Sequence, residues 1–340
     1  MDKDQLASTA RALVQKGKGI LAADESYGTI KKRFDKIDVP STEETRRAYR
    51  ELLFTTPGVE EFISGVILFD ETIRQIAEDG TPFPELLSSR GIIPGIKVDK
   101  GAIGLPGFPG EKITEGLDGL LDRLEEYRDL GARFTKWRAV ITIGEDIPTP
   151  YAMDANAHAL ARYAAASQAA GLVPIVEPEV LMDGDHSIER CYEVTADTLN
   201  NVFSELHRAR VDLEGMLLKP NMVLPGKESL EQASVEEVAA TTVRCLRSTV
   251  PAAVPGIVFL SGGQSPEQAT RHLNAMNQLG EHPWELSFSY GRALQEPSLE
   301  AWRGEPENVA RAQELFYHRA RLNSAARYGE YSPDMESVVA

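Results

Sequence analysis

The chain has 340 residues, of which 42% are hydrophobic and 26% charged, and its formal net charge is -16. This composition suits a globular protein with a large core, and the negative charge argues against nucleic-acid binding, which requires a basic surface. No apolar run approaches the roughly 20 residues of a membrane-spanning helix, and the N-terminal stretch lacks the apolar core of a signal peptide. Cys191 and Cys245 supply no disulfide framework, so we expect a reducing, cytoplasmic compartment.

Eight short runs rich in strand-forming residues recur along the chain, and helical patterns separate most of them. The runs are KGILAADE (18–25), SGVILFDE (64–71), IIPGIKVDK (92–100), RFTKWRAVI (133–141), VPIVEPEV (173–180), EGMLLKPNMV (214–223), GIVFLSGG (256–263) and LSFSYGRAL (286–294). Strands that alternate with helices pair in parallel. Eight such units in about 280 residues predict a closed (β/α)8 TIM barrel of the α/β class.

We predict that residues 1–340 form a single barrel domain. Residues 1–16 are expected to form a flanking N-terminal helix, because their apolar residues have amphipathic spacing. Residues 328–340 are polar and are predicted to form a short, mobile C-terminal tail. An open doubly wound sheet is the alternative fold, although no GxGxxG motif follows the first run.

Several helix boundaries carry capping signals. The segments GLDGLLDRLEEYRDLG and ANAHALARYAAASQAAG each end on glycine, which is typical of helix C-termini. Ser41 and Glu44 have the spacing of a capping box before RRAYRELLF. Ser265 followed by Pro266 predicts an N-cap with proline at the first helical position.

Charged residues cluster toward the ends of the predicted strands. They are Asp24, Lys97, Asp99, Lys136, Arg138, Glu177, Glu179, Lys219 and Arg292. In barrels of this type the chemistry occurs at the carboxyl ends of the strands. One such charge alone is more often a structural ion pair, but a convergent set of mixed sign favours an anionic substrate and acid–base chemistry.

The run MLLKPNMV places Lys219 inside a buried strand that Pro220 is expected to end. An amine attacks a carbonyl only when it is neutral, and burial beside a second cation such as Lys136 would favour the neutral form. A lysine that forms an imine with a ketone permits cleavage of the neighbouring carbon–carbon bond. Such cleavage needs a base, for which Glu177, Glu179 and Asp24 are candidates. These residues together predict a Schiff-base aldolase but do not specify its sugar.

Two glycine-containing strand ends suggest a phosphate site. Ser261-Gly-Gly263 ends the seventh run just before a helix, and Gly291 with Arg292 ends the eighth. Loops after the seventh and eighth strands of barrels often bind phosphate through backbone amides and a helix N-terminus. Glycines that serve only a tight turn are the alternative explanation.

A metal-dependent mechanism is not expected. The six histidines lie outside the strand-end runs and have neither HxxxH nor HExxH spacing, so we expect them on helix surfaces or in loops. They are His158, His186, His207, His272, His282 and His318. We predict no metal and no cofactor.

The strand-end motifs resemble, in order, those of class I fructose-1,6-bisphosphate aldolases. The matching stretches are ILAADES (20–26), GVILFDET (65–72), GIKVDKG (95–101), KWR (136–138), PIVEPEVL (174–181), LLKPNMV (217–223), FLSGGQS (259–265) and FSYGRALQ (288–295). The likeness extends over about residues 5 to 333. It implies metal-independent, reversible cleavage of fructose 1,6-bisphosphate to dihydroxyacetone phosphate and glyceraldehyde 3-phosphate, in glycolysis or gluconeogenesis.

The resemblance also implies residue roles. Lys219 would form the imine, and Glu177 would be the general acid and base. Asp24 would orient the cleaved bond, Lys136 would stabilise charge, and Glu179 would support this cluster. The phosphate next to the ketone would bind Ser261, Gly262, Gly291 and Arg292. The far phosphate would bind Ser26, Thr29 and Lys97, with Lys32, Arg33 and Arg138 adding positive charge.

Two departures from the family pattern stand out. Thr29 occupies a position where serine is common, and its hydroxyl can still donate a hydrogen bond. Many members end in a tyrosine that exchanges the enamine proton, whereas this chain ends in Ala340, which leaves the proton donor open. The family is usually tetrameric, so a homotetramer is expected. The alternative functions are a Schiff-base aldolase for another sugar phosphate, such as sedoheptulose bisphosphate, a transaldolase, or a non-catalytic scaffold.

Overall fold

The structure is a computed structural model that describes residues 2–338. In chain order its strands are β1 (Gly19–Ala22), β2 (Ile63–Leu68), β3 (Ile93–Lys97), β4 (Ala102–Gly104), β5 (Lys112–Thr114), β6 (Phe134–Ile141), β7 (Val173–Val180), β8 (Leu217–Leu218), β9 (Gly256–Phe259) and β10 (Glu285–Tyr290). Eight of them close into a parallel barrel in the order β1-β2-β3-β6-β7-β8-β9-β10. The predicted (β/α)8 barrel is therefore confirmed, and each predicted run overlaps one barrel strand. The antiparallel hairpin β4–β5 was not predicted.

Helices surround the barrel and connect its strands. They are α1 (Lys3–Leu13), α2 (Tyr27–Phe34), α3 (Glu43–Phe54), α4 (Asp70–Ile73), α5 (Phe83–Ser89), α6 (Leu120–Asp129), α7 (Pro150–Ala169), α8 (Ile188–Arg208), α9 (Val235–Thr249), α10 (Pro266–Gln278), α11 (Arg292–Trp302) and α12 (Val309–Arg327). Among the described residues, none of the helices has the length and apolar character needed to cross a bilayer.

The capping signals are partly confirmed. Ser265 caps α10 and accepts a hydrogen bond from the Gln268 amide, in a complete capping box. The predicted box of Ser41 and Glu44 is wrong by one residue, because Thr42 caps α3 and pairs with Thr45. The threonine hydroxyl at Thr45 reaches the Thr42 amide at 3.0 Å and so fills the role expected of a glutamate.

Helix α1 closes the amino-terminal end of the barrel. Its buried Leu6 and Leu13 join the apolar cluster inside the barrel, with strand residues such as Ile20 and Val258. Gly65 on β2 makes room for this helix, since a β-carbon there would lie 2.7 Å from Leu13 Cδ2. This end of the barrel is thus filled by apolar side chains.

The predicted C-terminal tail lies partly against the helices. Buried Tyr331 donates a hydrogen bond from its hydroxyl to Glu336 Oε1 at 2.9 Å. Glu336 also forms an ion pair with Arg319 of α12, at 2.5 Å. The mobility of residues 328–340 stays a prediction, and residues 339–340 lie outside the described part of the chain.

Candidate active site

Four charged side chains from four barrel strands or strand ends meet in the mouth of the barrel. Asp24 follows β1, Lys136 lies on β6, Glu177 lies on β7, and Lys219 follows β8. All four line a cavity of about 760 Å³ at the carboxyl end of the strands. The cavity is therefore where sequence reasoning expects the chemistry.

These four side chains form a continuous chain of ion pairs. Lys136 Nζ lies 2.6 Å from Asp24 Oδ2 and 3.3 Å from Glu177 Oε2. Lys219 Nζ lies 3.2 Å from Glu177 Oε1. Lys219 is only 4% exposed, and its ammonium is turned into the cavity rather than toward bulk water. Glu177 thus stands between two amines and can exchange a proton with a group bound to Lys219.

The ion pairs keep the two carboxylates charged despite their burial. Burial alone would raise the pKa of Asp24, but the charges of Lys136 and Lys219 outweigh it and hold that pKa well below the usual range. The pKa of Glu177 is lowered by the same two cations against the same effect of burial. Burial acts to lower the pKa of Lys136, but the charges of Asp24 and Glu177 raise this pKa well above its ordinary value. Lys136 is therefore a fixed cation, and Glu177 an available proton acceptor.

A second layer of ion pairs flanks this cluster. Lys97 Nζ lies 2.6 Å from Asp99 Oδ1, and Arg138 pairs with Glu179. Asp99 also accepts hydrogen bonds from the Gly101 amide at 3.1 Å and the Arg138 amide at 3.2 Å. The spacing of two between Lys97 and Asp99 predicts that their side chains share one face, and the structure pairs them.

One candidate phosphate cradle lies after β9 and β10. Gly262 adopts φ +57°, a left-handed conformation that glycine tolerates best. Arg292 donates from Nη2 to the carbonyls of Gly262 at 3.2 Å and Gln264 at 3.0 Å, so its guanidinium lies across the loop that begins at buried Ser261. Gly291 lines the main cavity, whereas Arg292 lines a smaller neighbouring cavity of about 230 Å³.

Arg33 belongs to this first cradle by position. A β-carbon at Gly291 would lie 3.7 Å from Arg33 Nη2, and Arg33 lines both the main and the smaller cavity. The resemblance had grouped Arg33 with the far phosphate. Its guanidinium instead lies where the two cavities meet.

The other candidate cradle lies at the start of α2. Ser26 and Thr29 line the main cavity together with Lys97 and Arg138. The hydroxyl oxygens of Ser26 and Thr29 are 3.2 Å apart. Lys32 is exposed on α2 and is not part of the cavity lining. The structure thus brings all the residues predicted for the far phosphate to the main cavity except Lys32, and Arg33 also borders the smaller cavity.

A buried carboxylate next to Asp24 was missed by sequence reasoning. Glu25 forms an ion pair with Arg33 and lies 2.5 Å from Arg50 Nη2. It also accepts a hydrogen bond from Gln295 Nε2 at 2.9 Å, which links the end of β1 to α11. Burial acts to raise the pKa of Glu25, but the two arginines lower it overall. The sequence feature that could have indicated Glu25 is the pair of adjacent acidic residues, Asp24 and Glu25, at the end of a predicted strand.

The histidines contribute nothing to the mouth of the barrel. His272 and His318 are buried between helices, so the expectation that all six lie on helix surfaces or in loops is wrong. Helix packing buries these two: His272 Nδ1 lies 2.5 Å from Gln264 Oε1, and burial lowers its pKa to about 4. Within residues 2–338, no group of three or more histidine, cysteine or carboxylate side chains is arranged to hold a metal ion.

Comparison with known proteins gives a consistent result. The family model described as fructose-bisphosphate aldolase class-I matches residues 5–340. A Xanthomonas campestris pv. campestris protein named "Probable fructose-bisphosphate aldolase class 1" is 62% identical, over 97% of this chain and 99% of its own length. The Arabidopsis thaliana protein named "Fructose-bisphosphate aldolase 6, cytosolic" is 57% identical, over 97% and 92%.

A solved structure is similar throughout. It is that of the fructose-bisphosphate aldolase from Plasmodium falciparum in complex with TRAP and a small-molecule inhibitor. It superposes with a TM-score of 0.96 at 55% sequence identity, covering 97% of this chain and 95% of that chain.

Proposed function

The chain belongs to the class I fructose-bisphosphate aldolases, the lyases that cleave fructose 1,6-bisphosphate in glycolysis, and from this premise we propose that Lys219 forms the Schiff base with the substrate ketone. The observation that carries this assignment is the position of Lys219 Nζ, buried in the cavity and 3.2 Å from Glu177 Oε1. A neutral amine and a nearby acid–base group are what imine formation requires.

The first half of the reaction builds the imine. Glu177 takes a proton from the Lys219 ammonium, and the neutral amine attacks C2 of the ketose. A proton then moves from the attacking nitrogen to the C2 oxygen, which becomes the hydroxyl of a carbinolamine. Glu177 carries the protons of this step and, as an acid, helps the hydroxyl to depart as water. Lys136, fixed as a cation 3.3 Å from Glu177 Oε2, stabilises the developing negative charge.

The second half breaks the C3–C4 bond. The bonding electron pair moves into the iminium and forms an enamine, while the C4 hydroxyl loses its proton to Glu177 and becomes the aldehyde. Asp24 orients the substrate hydroxyls from its place 2.6 Å from Lys136 Nζ, and Glu179 supports the cluster through Arg138. After the aldehyde leaves, the enamine takes a proton at C3, and water releases dihydroxyacetone phosphate from Lys219.

The two phosphates bind at different edges of the cavity in this proposal, one beside Gly291 and the other at the start of α2. The phosphate next to the ketone binds the amides and hydroxyl of the Ser261–Gly262 loop, Gly291 and Arg292, and we add Arg33 because its guanidinium adjoins Gly291. The far phosphate binds the hydroxyls at the start of α2 with Lys97 and Arg138. Lys32 is assigned only to long-range attraction, since it is absent from the cavity lining.

Trapping of the imine tests this function directly. Borohydride added with fructose 1,6-bisphosphate is expected to reduce the imine and leave a covalent triose or hexose phosphate on the peptide that contains Lys219. EDTA is expected to leave the rate of cleavage unchanged. Peptide mapping by mass spectrometry identifies the labelled residue. Loss of activity in EDTA together with an unlabelled Lys219 peptide would refute the imine mechanism.

We propose a cytoplasmic location and a homotetramer. The Arabidopsis relative is named cytosolic, which supports the first. The second is supported by exposed apolar side chains. Tyr151 is 58% exposed, and its ring stacks on that of Phe108 with centroids 4.7 Å apart. Phe108 lies in the turn between β4 and β5, and Ile103 of β4 is also exposed.

Light scattering is expected to give about four times the 37.3 kDa mass of one chain. Tyr151→Asp is expected to lower this mass, because a charge would be desolvated at the subunit contact. A single-chain mass for the unaltered protein would contradict the proposal.

A further inference from the structure

The two strands that carry Glu177 and Lys219 lose their regular pairing where these side chains enter the cavity. The Lys219 amide still donates to the Val176 carbonyl at 2.8 Å. Beyond that point Pro178 of β7 has no amide hydrogen to donate to the segment after β8. Pro220 faces the other side, where its carbonyl accepts from the Leu260 amide at 3.2 Å. The spacing between the strands at the active site must therefore be fixed by something other than a regular backbone ladder.

The side chain of Asn221 supplies the missing connection. Its Oδ1 accepts a hydrogen bond from the Val180 amide of β7 at 3.0 Å. Its Nδ2 donates to Thr195 Oγ1 of α8 at 3.2 Å and to the Met222 carbonyl at 3.1 Å. Asn221 is 5% exposed, and these bonds use both ends of its amide.

We propose that Asn221 is a positioning residue for the aldol cleavage: its amide ties β7 to the segment after β8 and thereby sets the distance between Glu177 and Lys219. Asn221 lies two residues after Lys219, and its partner Val180 lies three residues after Glu177. Asn221 is not part of the cavity lining, so it acts through these two residues and not on the substrate. The inference rests on the proposed roles of Lys219 and Glu177.

Gln168 offers a matched control at the amino end of β8, opposite to the end that Asn221 follows. Gln168 of α7 is 2% exposed and also makes three side-chain bonds to its surroundings. Its Nε2 donates to the carbonyls of Asp212 at 2.8 Å and Gly215 at 3.1 Å, and its Oε1 accepts from the Asp212 amide at 2.9 Å. Gln168 thus holds the amino end of β8, far from the cavity, with the same number of bonds.

The test compares Asn221→Ala with Gln168→Ala in steady-state kinetics and thermal melting. Both variants are expected to lose a similar amount of thermal stability. Asn221→Ala is expected to lower kcat by about 10²-fold with KM changed less than threefold, because misplacement of a reacting group by about 1 Å costs that much. Gln168→Ala is expected to keep kcat within threefold of the unaltered enzyme. Equal losses of kcat in the two variants would overturn the proposal.

A second variant keeps the test decisive if Asn221→Ala does not fold. Thr195→Val preserves shape and removes only the oxygen that accepts from Asn221 Nδ2. It is expected to lower kcat several-fold with KM unchanged and to slow borohydride trapping of Lys219 in parallel; unaltered kcat and trapping would overturn the proposal. Trapping in the unaltered enzyme is measured first. If Lys219 is not labelled in that enzyme, the proposed function fails as well. If Lys219 is labelled normally but the variants lose kcat equally, only the role of Asn221 is disproved.

Discussion

Replacement of Lys219 by methionine is expected to lower the rate of fructose 1,6-bisphosphate cleavage by about 10⁴-fold or more. Methionine is close to lysine in length, and Glu177 keeps Lys136 as a cation partner at 3.3 Å, so the barrel should remain folded. The variant has no nucleophile for C2 and so cannot form the iminium that accepts the electrons of the C3–C4 bond. Borohydride should leave no adduct on this peptide.

A coupled assay of triose phosphate release measures this loss. Lys112→Met on β5 provides the control, because Lys112 is exposed and its loss should leave the rate within twofold. Circular dichroism spectra of both variants should match that of the unaltered enzyme. A Lys219→Met enzyme that keeps a tenth of the activity would disprove the assignment of the nucleophile.

Replacement of Lys136 by methionine is expected to lower kcat/KM by about 10²- to 10³-fold and to shift its pH dependence. Lys136 is the cation shared by Asp24 and Glu177, at 2.6 Å and 3.3 Å. It holds the pKa of both carboxyl groups below the ordinary range, so they stay ionised as the pH falls into the acid range. Without it, burial and mutual repulsion raise these pKa values, and the acid limb of the profile should move to higher pH.

The pH profile of kcat/KM from pH 4 to 9 distinguishes this effect from simple damage. Lys136→Arg keeps a positive charge, so its acid limb should stay near that of the unaltered enzyme even if kcat falls because the guanidinium is larger. An acid limb that does not move in Lys136→Met would show that another group holds Asp24 and Glu177 in the charged form.

Local sequence pattern was sufficient for the eight strand runs, because strand-forming residues bounded by helices and turns report parallel pairing directly. Helix caps were less certain. Ser41 and Thr42 are adjacent hydroxyl residues, each followed three positions later by a possible partner, and only the chain path into α3 selects Thr42. The hairpin β4–β5 is too short to carry a clear pattern.

Part of the candidate site could likewise be predicted from the sequence, and part could not. Strand-end position predicted that Asp24, Lys136, Glu177 and Lys219 would face one cavity, since all parallel strands of a barrel end at the same face. The partners of long side chains could not be predicted. Arg33 could have reached either phosphate cradle from α2, and Lys32 beside it lies on the outer surface of the helix.

The sequence by itself determined the barrel, the chemical class of the reaction and the strand or strand end that carries each side chain of the candidate site. These follow from residue type and order along the chain, which local pattern records. Only the tertiary structure decided that Glu177 lies between two amines, that Glu25 holds Arg33, and that Asn221 replaces a missing backbone bond. These contacts join residues distant in sequence, and their distances depend on how the closed barrel sets the register of neighbouring strands.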